Sequence, residues 1–263
     1  MRLFSIFFRY TLSSHLANPG NLFAGMLGML ANNLIFLYGL WGMLFYGKPE
    51  TQAVFEYFIV LTGVVNLSWG CINFFLGGLR ALGDLINEGT LEPLLCTPRS
   101  SLFLAACSRS SPIALGDILT GLISLGVAAQ RQGGMVLLQA IPVILVSAIG
   151  FAGVFILTGS LAFYLKKGSF IGMLVVEVIL ALSGYPTGKI FQDKTRWILM
   201  LTPTVLITIL PMEAFETTNF SHFFLVILKS GWYACGFLSL AIIIFKRGLR
   251  RFQSVSLVGP TGL

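Results

Sequence analysis

Residues 196–215, RWILMLTPTVLITILPMEAF, decide how many times the chain crosses a membrane. The run is apolar enough to span, yet Pro203 and Pro211 break it and Glu213 closes it. Proline inside a helix removes a backbone hydrogen bond and clashes with the preceding turn. We read the segment as a re-entrant or interfacial hairpin on the outer side.

Around it the chain is membrane-like. Of 263 residues, 56% are hydrophobic and 10% charged, against roughly 25% charged in soluble domains. A span needs about 20 apolar residues, and runs at 21–46, 55–79, 112–129, 135–165 and 223–245 meet or approach that length. A sixth run, 170–185, is shorter and fits a span that is tilted or flanked by snorkelling residues. The expected fold is an all-α membrane protein of six transmembrane helices in a single domain.

Charge supports an even number of spans. Arg2 and Arg9 precede the first run, Arg80, Arg99 and Arg109 lie in the second connection, and Lys166 and Lys167 in the fourth. Lys246, Arg247, Arg250 and Arg251 follow the last. With six spans these all fall on one face, which the positive-inside rule makes cytoplasmic; a seventh span would send the C-terminal cluster outside. The net charge of +7 belongs to these edges and points to headgroups, not to nucleic acid.

Residues 1–16 predict an interfacial amphipathic helix. Arg2, Ser5, Arg9 and Ser13 fall on one stripe, and Leu3, Phe4, Phe7 and Phe8 lie away from it. The four cysteines form no CxxC pair and indicate neither a disulfide framework nor a zinc site. Gly168 and Gly172 make a GxxxG, a chance pattern among 29 glycines.

The longest cytoplasmic connection, 80–111, is shaped. Arg80, Asp84, Asn87 and Glu88 fall on one side of a helix and Leu82, Leu85 and Ile86 on the other, so the helix is expected to lie along the membrane surface. Gly89 ends it, Pro93 opposes its continuation and Pro98 punctuates the approach to the next element. An acidic face toward the cytosol offers a docking surface.

Glu88 to Phe103 read EGTLEPLLCTPRSSLF. With the order of elements, this stretch resembles the type-2 (ABC-2-type) permeases of ATP-binding-cassette exporters, in particular a branch of about this length. Cys96-Thr97 stands where a basic residue is common, and Pro93 interrupts the usual apolar step. The resemblance implies a multi-pass protein of the bacterial plasma membrane with both termini cytoplasmic. It implies a dimer with itself or a sister permease, and coupling to two cytoplasmic ATPase subunits that carry the ATP and magnesium. The matching coupling positions are Asp84, Glu88, Gly89, Leu91, Glu92 and Pro98. The sequence agrees that the motor lies elsewhere, since it holds no GxxxxGK[ST]; GYPTGKI at 184–190 lacks both the spacing and the hydroxyl.

Polar residues interrupt the spans. Glu177 sits in the middle of the fifth run, where an acidic residue costs about 2.5–3.5 kcal/mol, and reads either as a path-facing group or as a hydrogen-bonded structural glutamate. Asn66 and Asn73 share a face of the second span, as candidates for the translocation path or for interhelical hydrogen bonds. Asn32 and Asn33 lie in the first span. Asp117, near the cytoplasmic end of the third, is within reach of water or Arg109 and reads as a structural pairing. Two other readings stay open: a nucleotide-independent transporter or channel using Glu177 as its ion site, and a membrane transferase holding metal through Asp84, Glu88 and Glu92. His15 and His222 fall on opposite faces and assemble no catalytic dyad.

Overall fold

A computed structural model describes residues 2–45, 52–165, 167–186, 202–217 and 219–252, without the side chains of 2–5. Among these residues the chain is helical, with no strand. Five helices are long and apolar enough to cross a membrane. They are α2 (Pro19–Phe45), α3 (Gln52–Leu76), α7 (Pro112–Gln132), α8 (Met135–Phe163) and α10 (Phe220–Leu249). A shorter apolar helix, α9 (Gly168–Gly184), has 17 residues, about 25 Å at 1.5 Å per residue, a few ångströms less than the hydrocarbon thickness.

Two local features start α2. Asn18 accepts from the Asn21 backbone N–H at 3.4 Å, and Pro19 takes the first helical position, where no N–H is needed. A π-helical stretch, Ile35–Trp41, interrupts α2. α3 is the centre of the bundle, with every residue from Phe58 to Val65 buried. Trp69 on α3 meets Phe151 and Phe155 of α8 at 5.4 and 5.2 Å between ring centroids. Small residues let α3 and α7 close on each other: a Cβ on Gly121 would stand 3.0 Å from the Gly63 carbonyl oxygen. α2 and α9 flank α3, the first packed mainly on α7 and the second on α8. α2 and α10 leave most of their apolar surface exposed, as expected of helices facing lipid or another membrane protein.

Three short helices join α3 to α7: α4 (Leu82–Asn87), α5 (Glu92–Leu95) and α6 (Ser101–Ser108). The N-terminal helix, α1 (Arg2–Leu16), packs against α6 and sets Phe8 against the rings of Phe74 and Phe75. Its Arg9 and Ser13 are exposed, on the side away from those rings.

The hairpin expected over 196–215 lies outside the described residues as far as 201. Its remainder forms three short helical pieces, Val205–Ile209, Leu210–Met212 and Glu213–Glu216. Ile207 and Met212 are fully buried, and Ile207 packs at Gly150 of α8. Gly168 and Gly172 serve contacts inside the chain. A Cβ on Gly172 would lie 2.6 Å from the Thr158 carbonyl oxygen, so this GxxxG lets α9 close on α8.

Candidate functional site

The connection between α3 and α7 has its polar and apolar residues on the predicted faces. Leu82, Leu85, Ile86 and Leu91 are at most 3% exposed, and Asp84, Asn87 and Glu88 face outward. One expectation needs correction: the apolar face of α4 rests on protein, not on the membrane surface. α4 packs on the ends of α8 and α9, where Gly83 meets Ser169 and Gly159 receives Leu82. Periodicity announces such a face without saying what covers it.

Gly89, at φ 72°, ends α4 in the left-handed region that glycine enters at low cost. The Leu91 N–H then returns to the Leu85 carbonyl at 3.0 Å. Pro93 does not continue α4, which ends at Asn87; it occupies the first turn of a new helix, α5, a position that tolerates proline. Pro98 is exposed and precedes Ser100, which caps α6 by accepting from the Phe103 N–H at 3.5 Å.

Two side-chain ties bind this connection to α9. The Asn87 amide donates to the Ser169 hydroxyl at 2.8 Å, and Arg80 pairs with Glu177 at 2.8 Å. Glu177 thus meets a cation inside its apolar run. A third tie is internal: Arg109 pairs with Glu88 at 3.0 Å. Arg109 is therefore not the partner of Asp117, a second correction, because α6 delivers it to the end of α4 instead. Glu92 is half-buried and makes an interaction of its own.

A second polar group lies within the bundle. The Asn33 amide of α2 donates to Asp117 of α7 at 2.7 Å and to the Asn66 side-chain oxygen of α3 at 3.2 Å. Asn66 donates in turn to the Thr62 carbonyl at 2.9 Å. Asp117 is 4% exposed. One asparagine thus joins three helices, and Asn66 makes the interhelical bond expected of an intramembrane amide. Asn73 is buried and donates to the Trp69 carbonyl of its own helix at 2.9 Å.

Asn66 and Asn73 line different cavities. A cavity of about 420 Å³ lies between α2, α3 and α9 and is bordered by Asn33, Asn66, Asp117, Glu177, Trp69 and Tyr185. Another, of about 320 Å³, lies at the loop end of the bundle, with Asn73, Asp84, Arg109 and Ser169 in its walls. Arg80 borders both and lies over the Trp69 ring at 5.0 Å. Among the described residues no three His, Cys, Asp or Glu side chains converge to hold a metal; Asp84, Glu88 and Glu92 do not gather into one. The residues that sequence reasoning missed are Arg80, counted only as a topology charge, and Asn33, named without a role.

Residues 27–256 match a family described as ABC-2 family transporter protein. The chain belongs to that family, whose members are membrane components of ATP-binding-cassette transporters. No curated protein and no solved structure matches the chain.

Proposed function

We propose that this ABC-2 family protein is the permease subunit of an ATP-driven exporter, coupled to separate ATPase subunits through the α3–α7 connection. The observation that carries the reading is the double tie of that connection to α9, Asn87 with Ser169 and Arg80 with Glu177. A soluble partner bound at the outward Asp84 and Glu88 and the half-buried Glu92, beside Gly89 and Pro98 and over the buried Leu91, would push on a segment whose apolar face grips α9. Displacement of α4 is then a displacement of α9. The ATPase supplies ATP and magnesium chemistry and the permease converts closure into helix motion.

In this reading the loop end is cytoplasmic, as the clustering of Arg80, Arg99, Arg109, Lys246 and Arg247 there supports. The permease lies in the bacterial plasma membrane with six spans, α9 being the fifth, and both termini inside. It works as a dimer with itself or a sister permease, for which the exposed apolar faces of α2 and α10 leave surface. Asn66 and Glu177 border the translocation path through the larger cavity, and Asn73 the vestibule at the loop end.

The test is ATP hydrolysis by the partner ATPase reconstituted with the permease in lipid vesicles. Wild-type permease is expected to stimulate it, and the E88K/E92K variant to insert normally without stimulating. Equal stimulation by both removes the docking role of this face.

A further inference from the structure

The cavity between α2 and α9 carries a charge pattern that specifies its ligand. We propose that it binds amphiphiles bearing a single positive charge, amines or quaternary ammonium ions, with the head near Asp117 and the tail along α9. The assignment rests on the permease reading above and names the class of cargo. At about 420 Å³ the space is of ligand size.

Three observations converge. The first is polarity beside an apolar run: the Arg80–Glu177 pair borders the cavity with side chains 39% and 45% exposed. Hydrocarbon does not solvate such groups, so a polar moiety belongs beside them. The second is charge. Among the described residues, the acidic and basic side chains on the wall are Arg80, Asp117 and Glu177. Glu177 matches Arg80, whereas Asp117 accepts from a neutral amide and has no cation at ion-pair distance among the described residues. Among the described residues of the wall, acidic side chains thus outnumber basic ones by one.

The third is aromatic surface. Phe36 and Tyr185 stand at 86° with centroids 5.9 Å apart, forming two sides of a corner on the same wall. Aromatic faces attract weakly hydrated cations, and Arg80 over Trp69 already shows that contact here. Leu180 and Ala181 continue the wall with apolar surface for a tail.

The test uses full-length protein in lipid nanodiscs and radiolabelled tetraphenylphosphonium, an aromatic monocation. Saturable binding is expected, displaced by hexadecyltrimethylammonium and not by hexadecyl sulfate. D117N should weaken it about tenfold or more, and Y185L roughly threefold, with Y185F unchanged. Should D117N fail to fold, the Tyr185 pair decides. Absence of saturable binding, displacement by the sulfate as effective as by the ammonium, or equal affinity of Y185L and Y185F overturns the assignment. Stimulation of the partner ATPase is read separately, so the cargo class can fail while the permease reading stands.

Discussion

Arg80 Nη2 lies 2.8 Å from Glu177 Oε1, joining residues 97 positions apart in the chain. The pair ties the end of α3 to the middle of α9. Removing one partner leaves the other charge uncompensated beside the membrane interior. R80Q and E177Q should each lower the melting temperature of the purified protein, and R80Q/E177Q should lower it by less than their sum. Because both side chains are partly exposed, the coupling is expected at about 0.5–1 kcal/mol. Strict additivity in thermal unfolding would mean that the two groups do not interact.

Asn33 is the main polar anchor of α2 described in the bundle, since its amide reaches both Asp117 and Asn66. N33A removes that donor and leaves buried acceptors facing one another, at a cost of about 1–2 kcal/mol. N33D should be worse, because it sets a second carboxylate against Asp117. Denaturant unfolding in detergent reads both, and N33D as stable as the parent would contradict the account.

The cover over α4 makes a different prediction. Leu85 is 3% exposed, so L85A should cost about 2–5 kcal/mol, a far larger loss than burial under a fluid membrane surface would allow. N87A, at an exposed polar tie, should cost about 1 kcal/mol or less while sharply reducing stimulation of the partner ATPase. If N87A stimulates normally, the tie to Ser169 transmits nothing.

Thiol chemistry reports both burial and orientation. Cys96 is exposed, whereas Cys107 on α6 is buried, and burial pushes its thiol above the ordinary range. The reactive thiolate is thereby disfavoured. With Cys71 and Cys235 changed to serine, a membrane-impermeant maleimide should modify Cys96 from the cytoplasmic side at neutral pH and spare Cys107. Raising the pH increases the Cys107 thiolate fraction, but the thiol stays covered until the protein unfolds. Labelling of Cys96 from outside intact cells would invert the orientation.

Much of the fold was legible because apolar run length and helical period are local properties. Each of the six runs appears as a helix, Gly89 ends α4 as its backbone freedom directs, and the polar stripe of α4 faces outward. What covers a face is not local. The apolar side of α4 suits a bilayer or a protein equally well, and only the close approach at Gly83 and Gly159 decides between them. Glu177 declared a need for compensation, yet nothing in its neighbourhood along the chain pointed to Arg80. Asn33, Asn66 and Asp117 each interrupt an apolar run, a cost that falls when they meet, and that shared cost was the available signal.

In the proposed function, the outward face of the α3–α7 connection holds an ATPase. The direct measurement is purification of tagged protein from its native membranes in mild detergent, with mass spectrometry of whatever accompanies it. A stoichiometric soluble ATPase is expected, lost from E88K/E92K while the permease remains monodisperse. A permease that comes away alone and intact, or an ATPase held equally by the reversed variant, would contradict it.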